Sequence, residues 1–304
     1  MNFSPNHPTK SCFFFRSSSD SFILSGENTR RWCNGMFSNN IRALAPKKGN
    51  RSGYCNPKGH ILGLLDTYCL EENRFLIVLD GVSQDDFEGK FAPYMALDDI
   101  ELDDEQNGIL SIQGPDAESI LSKIGYTIPQ EQDVHEFSDG FILRKDRFGN
   151  RRSNHGFDIR TSKPEEFIHA LQNLGIPEFS VEEQLAHRIL SGSASFPADF
   201  DDKTFFHEVL LNEECCSFNK GCYVGQEIIN RIDVKGAVTK KIHLFSSSVP
   251  FEPAEELFVE GKSVAKILSH CMSNGTFYAL AMVRKQFWEQ SLHRTKGLAE
   301  YISL

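Results

Sequence analysis

The sequence predicts an α+β protein in which helices and strands are mixed up to about residue 240 and a small all-β module follows. Residues 74–79 are nearly all apolar, which indicates a buried strand, whereas residues 181–190 carry apolar side chains at helical spacing and stop at Gly192. After residue 240, short runs of alternating apolar and polar residues are separated by Pro, Gly, Ser and Asn. A chain of 304 residues with 40% hydrophobic content and 25 Phe is long enough to build several aromatic-rich cores.

Two stretches have the same pattern of a strand, a glycine turn and a helix, and they indicate an internal repeat. The first begins at residue 22 and the second at residue 109. The matched positions are Leu24, Gly26 and Trp32 in the first stretch and Ile112, Gly114 and Ile120 in the second. Further along, residues 141–143 and 156–159 are predicted as strands of a hairpin around residues 146–150.

We divide the chain into residues 1–20, 21–240 and 241–304. The first segment has no Asp or Glu and admits three interpretations: a loosely attached extension, a first strand near residues 13–15, or a targeting segment. The middle segment is the α+β region, and the last is the β-module. Residues 98–105 are acidic and are expected to be a solvated loop or face rather than a metal site.

The net charge of −10 argues against general nucleic-acid binding but leaves a local basic cleft open. No apolar run has the roughly 18 to 20 residues that span a bilayer, so no membrane association is expected. The eight cysteines form no regular framework, which is typical of a reducing compartment. Adjacent Cys215 and Cys216, followed by Cys222, match no zinc spacing, and we predict no stably bound metal.

The most informative stretch is the octapeptide 220–227, which reads KGCYVGQE. If the following apolar-periodic run is helical, Cys222 lies just before or within the first turn, where free amides and Lys220 would both favour a thiolate. Such a thiol suits redox, persulfide or metal-transfer chemistry. The alternative from the residues alone is a structural cysteine in a tight loop that Gln226 and Glu227 hold.

This octapeptide resembles the signature of the YgfZ-type folate-binding proteins, which belong with the glycine-cleavage T-protein in the GcvT superfamily. Other blocks of the family are matched more weakly by residues 24–27, 32–40, 56–65, 112–117, 156–159 and 188–199. The resemblance covers most of the chain. It implies three subdomains in a ring around a central cavity for a reduced folate, with a C-terminal β-barrel module.

The resemblance also implies candidate site residues. Asp158 would accept hydrogen bonds from the amino and ring N–H groups of a pterin, and strand alternation would set it opposite its apolar neighbours. An outward-facing surface aspartate is the alternative. Arg188 would meet a folate carboxylate or cap its own helix. The other cofactor-binding candidates are Asn40, Tyr223, Gln226 and Glu227.

One departure from the family bears on activity. The T-protein has an essential aspartate after a Gly-x-Ile-Leu segment, but here Gly63 and Leu64 follow that segment. Asp66 comes later, and we expect the shift to change the face on which its side chain points. His60, at a commonly basic position, is expected at a surface or ligand edge rather than in catalysis.

We therefore expect an accessory protein that binds tetrahydrofolate or a derivative and supports iron–sulfur enzymes, such as a tRNA methylthiotransferase. In this hypothesis Cys222 is the functional thiol, Lys220 tunes it, and glycine-cleavage activity is absent. A tetrahydrofolate-dependent one-carbon transferase or demethylase is the second hypothesis, and a folate-free scaffold is the third. The expected location is the cytoplasm, with the mitochondrial matrix as the alternative.

Overall fold

The computed structural model describes residues 12–105, 108–148, 155–236, 238–288, 292–294 and 297–302. Its strands form two open five-stranded sheets and one ring of strands near the C-terminus, all with antiparallel pairing. The predicted mixture of helices and strands followed by an all-β module is confirmed. Residues 1–11 of the N-terminal segment and residues 149–150 of the predicted hairpin turn lie outside the described residues.

The first unit contains one five-stranded sheet and two helices. Its sheet order is β3-β4-β5-β2-β6. The elements are β2 (Ser21–Ser25), α1 (Thr29–Met36), β3 (Gly49–Cys55), β4 (Ile61–Glu71), β5 (Arg74–Asp80), α2 (Gln84–Leu97) and β6 (Glu101–Asp104). The acidic stretch of residues 98–105 thus contains an edge strand whose carboxylates are exposed, as predicted. Glu105 at its end is an exception, because it is buried and paired with Arg160.

The second unit has an equivalent sheet, with strand order β1-β7-β10-β9-β8, although its edge strand β1 comes from the start of the described chain. Its elements are β1 (Phe13–Ser17), β7 (Gly108–Gln113), α3 (Ala117–Lys123), β8 (Val134–Phe137), β9 (Gly140–Arg144), β10 (Gly156–Thr161) and α4 (Pro164–Asn173). In both units the strand that starts the repeat ends at a glycine of positive φ, Gly26 or Gly114, before the helix. The predicted internal repeat is confirmed. Of the interpretations of the N-terminal segment, the structure has the first strand.

The two sheets pack face to face between the two pairs of helices. One core lies between the first sheet and its helices, and another lies between the second sheet and its helices. A third apolar cluster joins the inner faces of the sheets, with Tyr68 and Val78 on one side and Phe141 and Leu143 on the other. Polar and charged side chains share this inner face, and they form part of the site described below.

The chain then runs through α5 (Val181–Leu190), a 3-10 turn (Phe206–Val209), α6 (Asn212–Cys215) and α7 (Gln226–Lys235). The bounds predicted for α5 are confirmed, although Val181 of its predicted apolar stripe is exposed. The last strands are β11 (Lys240–Ser247), β12 (Glu256–Val259), β13 (Lys262–Ser273), β14 (Thr276–Arg284), β15 (Leu292–Arg294) and β16 (Gly297–Ile302). Each pairs with two neighbours, and β16 returns to β11, so the strands close into a barrel. No helix of the described residues has the length and apolarity to cross a bilayer.

Candidate functional site

The octapeptide forms an irregular loop that leads into α7, and Lys220 anchors it. The Lys220 ammonium donates to three backbone carbonyls near the end of α1, those of Asn34, Phe37 and Asn39, at 2.6, 2.6 and 2.7 Å. An ammonium has three N–H donors, so all of them are used. Burial lowers the pKa of Lys220 to about 8. The side chain predicted to tune the thiol therefore binds backbone carbonyls of another element.

Cys222 lies in this loop, four residues before the start of α7, and it is the exposed member of the eight cysteines. The thiol opens onto a shallow groove of about 630 Å³. The groove is lined by the loop, the first turns of the helix and one residue of the β3–β4 turn: Pro57, Cys222, Tyr223, Val224, Gly225, Gln226, Glu227, Ile228 and Asn230. The position just before a helix agrees with the sequence prediction, and the groove makes the thiol accessible to a ligand or a partner.

Gly225 allows the octapeptide to lie directly against the turn between β3 and β4, because it has no side chain. Its φ is 83°, and a Cβ atom there would lie 2.7 Å from the Asn56 carbonyl oxygen and 2.9 Å from Gly59 Cα. Gly59 also has a positive φ, 78°. A side chain at Gly221, by contrast, would meet no atom within 4 Å. Two of the blocks that carried the family resemblance, residues 56–65 and the octapeptide, are therefore in direct contact.

The remaining octapeptide side chains hold the loop or face solvent. Tyr223 is buried among Cys55, Cys216 and Ile229, and burial raises the pKa of its hydroxyl. The Lys220 ammonium lies 4.9 Å from the Tyr223 ring centroid. Gln226 donates to the Lys220 carbonyl at 3.5 Å, and Glu227 is exposed in the first turn of α7. Their roles as folate contacts stay predictions.

A second group of functional candidates lies on the inner face between the two sheets, around Asp158. Phe157 and Ile159 point into the helix-side core, and Asp158 points to the inner face, as strand alternation predicts. Its carboxylate accepts from Arg147 Nε at 2.9 Å and Nη2 at 2.6 Å, and from the Ser111 hydroxyl at 2.8 Å. The surface alternative for Asp158 is wrong, because the side chain is 1% exposed.

Opposing effects set the charge of Asp158. Burial by itself would raise the pKa of its carboxyl, but the Arg147 and Lys145 cations and the Ser111 hydroxyl hold the pKa below its usual value. The nearby Asp80 carboxyl behaves in the same way, with Arg51 as the main cation. Burial and the charges of Asp66 and Asp158 raise the pKa of Tyr68 well above its usual value. The inner face thus holds ionised carboxylates in a buried setting.

Asp66 belongs to the same face. It forms an ion pair with Lys145, and both side chains are less than a tenth exposed. Leu65 packs into the helix-side core, whereas Leu64 packs away from it, so Asp66, two residues after Leu64, shares the face of Leu64. Gly63, which directly follows the Gly-x-Ile-Leu segment, has the face of Leu65, so the shift of three residues turns Asp66 to the other face, in agreement with the expectation.

Three further predicted residues have clear positions. Arg188 hydrogen-bonds the Ser193 carbonyl just beyond its own helix, pairs with buried Asp199 and donates to Ser269 of the barrel. It therefore joins α5 to the barrel, and the helix-capping alternative describes it better than a folate contact. The Asn40 side-chain oxygen accepts from the Ala43 amide in a turn. The half-buried His60 ring packs edge-on against Phe205 with 4.6 Å between the ring centroids, and its place at a surface or ligand edge stays a prediction.

The octapeptide and the inner face are linked through a short chain of contacts. Lys220 donates to the Asn39 carbonyl, and the Asn39 amide donates to the backbone carbonyls of Arg51 and Glu214. Arg51 in turn pairs with Asp80 on the inner face. Sequence reasoning missed Arg51, Lys145 and Arg147. In the sequence these residues are cations within strand-like or turn segments. Their positions do not show which carboxylates they contact.

No group of three or more His, Cys, Asp or Glu side chains in the described part of the chain is arranged to hold a metal ion. The arrangement instead offers two kinds of chemistry. The groove presents an exposed thiol, and the inner face presents carboxylates already bound to guanidinium and ammonium groups.

This chain is similar to known proteins in sequence and in fold. Residues 12–140 match the GCVT N-terminal domain family. The chain is 24% identical over 287 residues to the tRNA-modifying protein YgfZ of Hamiltonella defensa, covering 90% of this chain and 83% of the relative. It is 25% identical over 293 residues to a chloroplastic protein of Arabidopsis thaliana that is named as a transferase, covering 92% of this chain and 66% of the relative.

The fold is shared with the glycine cleavage system aminomethyltransferase T of Bartonella henselae. That crystal structure has a TM-score of 0.83 at 16% identity and covers 97% of this chain and 86% of its own. The predicted resemblance to YgfZ-type proteins of the GcvT superfamily is therefore confirmed by sequence and by fold.

Proposed function

We propose that this chain, as a YgfZ-type member of the GcvT superfamily, is a folate-binding accessory protein that supports iron–sulfur enzymes and tRNA modification. The similarity to relatives named as tRNA-modifying proteins supports the tRNA part of the proposal. The observation that carries the folate part is the Asp158 carboxylate. It already accepts two parallel N–H groups from a planar cation on the inner face.

Pterin recognition fits this geometry. The amino group and adjacent ring N–H of a reduced pterin form a guanidine-like edge, and Arg147 presents such an edge to Asp158. The Asp158 side chain is 1% exposed and that of Arg147 is 18% exposed, so Arg147 lies on the more accessible side. A pterin would take the place of the Arg147 guanidinium and keep both hydrogen bonds to the carboxylate.

The thiol supports the accessory role. Cys222 lies in an open groove at the end of a loop that Lys220 and Gly225 hold in place. A fixed, accessible thiol suits contact with a client protein or the handling of sulfur. We place the bound folate at Asp158 and any covalent chemistry at Cys222, without glycine-cleavage activity. The location stays a prediction, the cytoplasm or the mitochondrial matrix.

A second candidate function rests on Asp66. A one-carbon transferase or demethylase needs a carboxylate that positions or deprotonates an amine. Asp66 supplies a carboxylate on the inner face near Asp158, but it is bound to Lys145 and buried. The accessory role is preferred because the Lys145 side chain that pairs with Asp66 is 4% exposed, whereas the Arg147 side chain that a pterin would displace from Asp158 is 18% exposed. Turnover of a methylene-tetrahydrofolate donor with a candidate amine would establish the second function instead.

Folate binding tests the first part of the proposal. Titration with tetrahydrofolate and 5-formyltetrahydrofolate should give saturable binding, and Asp158→Asn should weaken it roughly tenfold or more, because it removes a charge-assisted pair of hydrogen bonds. Asp139→Asn is the matched control, since Asp139 is a partly exposed aspartate paired with Lys163. No binding of the wild type at several hundred micromolar would overturn the folate assignment.

A cellular assay tests the thiol. Cys222→Ala should lower the activity of iron–sulfur enzymes and the level of methylthiolated tRNA in cells that depend on this protein. Cys271→Ala is the control, because Cys271 is a partly buried thiol of the barrel. Equal effects of the two variants, or no effect of Cys222→Ala, would reject a functional role for the Cys222 thiol.

A further inference from the structure

A basic patch lies where the end of α7 meets the barrel, although the whole chain has a net charge of −10. The residues of the patch come from two short stretches of sequence, at the end of α7 and the start of β11, and at the end of β14 and just after it. The basic patch consists of Lys235, Lys240, Lys241, Arg284, Lys285 and Trp288.

Backbone pairing brings these stretches together. Lys240 at the start of β11 pairs in register with Arg284 at the end of β14. The Lys285 amide donates to the Thr239 carbonyl at 2.8 Å, and the Lys285 ammonium donates to the Gly236 carbonyl at 3.0 Å, just after α7. Lys285 therefore connects the end of α7 to the edge of the barrel, where Lys240 and Arg284 lie on one face of the strands and Lys241 lies on the other.

The Trp288 ring lies in the patch beside two lysine ammonium groups. The Lys241 and Lys285 ammonium groups lie 5.9 and 5.8 Å from the Trp288 ring centroid. The indole N–H donates to the Val283 carbonyl at 3.0 Å, which fixes the orientation of the ring. Trp288 is half-buried, so part of the ring reaches the surface.

Among the described residues, one of the five cations of the patch forms an ion pair with a carboxylate. Lys240 lies 3.9 Å from buried Glu208. Within the described ranges, no carboxylate comes within 4.0 Å of the cationic groups of Lys235, Lys241, Arg284 or Lys285. Such a concentration of cations on an acidic protein marks a surface for a polyanion.

We propose that the basic patch binds a single-stranded segment of RNA. Phosphates would contact the lysines and Arg284, and one base would stack on the exposed part of the Trp288 ring. An anionic membrane is a poorer match, because surface binding to lipid needs a broad apolar face and Val234 is the large apolar side chain exposed beside the patch.

The patch also has a defined relation to the thiol. Helix α7 begins beside the Cys222 groove and ends at the patch, and its ten residues span about 15 Å. RNA held at the patch would therefore lie within reach of a client enzyme docked at the groove. The inference rests on the proposed function only in its choice of RNA as the polyanion, and folate binding does not enter it.

A binding assay with matched charge reversals tests this surface. A fluorescein-labelled single-stranded RNA should bind the full chain at low salt, with an affinity that falls as salt rises. The variant Lys241→Glu/Arg284→Glu/Lys285→Glu should lower the slope of log affinity against log salt by about 2, because each phosphate contact in a single strand contributes about 0.7. The control variant is Arg42→Glu/Lys90→Glu/Lys123→Glu, which changes three exposed cations of the first two units by the same total charge.

Tryptophan fluorescence supplies a test that needs no charge-reversal variant. The chain has two Trp residues, and Trp32 is buried. In a Trp32→Phe background, stacking of a base on Trp288 should quench the remaining emission upon RNA addition. Absence of RNA binding at low salt, equal loss in both charge variants, or absence of quenching would overturn the proposal. Binding to phosphatidylserine vesicles without binding to RNA would overturn it in favour of a lipid surface.

Because folate is absent from these assays, the two proposals fail separately. Loss of folate binding in Asp158→Asn with intact RNA binding supports both. RNA binding without any folate binding would leave the patch in place and remove the folate assignment.

Discussion

At the scale of single residues, the octapeptide contains residues with two roles. Some hold the loop in position, and one, Cys222, has an accessible reactive group. Lys220 donates its hydrogen bonds to backbone carbonyls near α1, and the Tyr223 ring is buried in an apolar cluster. Gly225 has a positive φ and lies against the β3–β4 turn. In the loop that the structure describes, Cys222 is an exposed free cysteine. Most residues of the octapeptide therefore hold the loop in position, and the Cys222 thiol is the accessible group.

The two glycines of the motif should differ sharply in their tolerance of substitution. Gly225→Ala should lower the free energy of unfolding by about 2 kcal/mol or more, because φ is positive and the new methyl would contact the backbone of the β3–β4 turn. Gly221→Ala, the matched control, should change it by less than about 1 kcal/mol, because its Cβ meets no atom within 4 Å. Urea denaturation of both variants checks this, and equal losses would contradict it.

The charge of Lys220 should make stability depend on pH in the alkaline range. Burial lowers its pKa from 10.5 to about 8 in the folded protein. Between these values the unfolded chain binds more protons, so the free energy of unfolding should rise as pH increases from about 8 to about 10.5. Lys220→Met should lose this contribution. Denaturation of both proteins at pH 8 and pH 10 measures the difference, and parallel pH profiles would show that the three carbonyls hold the ammonium at its ordinary pKa.

At the scale of elements, the two units place different side chains at equivalent positions of one topology. Leu76 pairs with Ile23 in the first sheet, and Asp158 pairs with Ser111 at the corresponding site of the second sheet. The second unit therefore carries polar groups where the first is apolar. The inner face obtains its charges from this divergence and from Asp66 on β4.

The ion pair between Asp66 and Lys145 should be a strong link between the two units. Asp66→Ala should lower the free energy of unfolding by about 3–5 kcal/mol, because it leaves the Lys145 ammonium buried without this partner. Replacing both partners, as Asp66→Leu/Lys145→Met, should restore much of the loss. The exposed pair Asp139–Lys163 is the control, and its removal should cost less than about 1 kcal/mol. Chemical denaturation of the four proteins decides whether the buried pair behaves in this way.

At the scale of the whole molecule, long-range pairing assembles the units. Strand β1 belongs to the second sheet, although it precedes the whole first unit in sequence, and it pairs with β7 about a hundred residues later in the chain. Helix α5 packs on the barrel through Ile189, and Arg188 reaches Ser269 there. The six buried cysteines are distributed over these packed regions.

Burial across the molecule predicts a simple alkylation pattern. Under native conditions a maleimide should label one thiol rapidly, Cys222, while half-buried Cys271 reacts more slowly and the six buried thiols are protected. Cys222→Ala should abolish the rapid phase and change the free energy of unfolding by less than about 0.5 kcal/mol, because the side chain is exposed. Mass spectrometry of peptides after timed labelling identifies the sites. Rapid labelling of a buried cysteine would indicate that its unit opens readily.

The sequence by itself determined the features that depend on local periodicity and on turn residues. The bounds of α5, the start of the β-module near residue 240 and the placement of Asp158 opposite its apolar neighbours follow from spacings of 3.6 and 2 residues, and these spacings are set by neighbouring positions. The family resemblance added the expected fold because its motif is specific.

Only the tertiary structure decided which distant groups meet. The three carbonyls bound by Lys220 lie more than 180 residues away in sequence, and no local pattern marks a backbone oxygen as the partner of a particular ammonium. The cations around Asp158 and Asp66, and the strand position of β1, were undetermined for the same reason. The register and packing of whole sheets bring such groups together, and those depend on the sum of many contacts rather than on the residues beside each group.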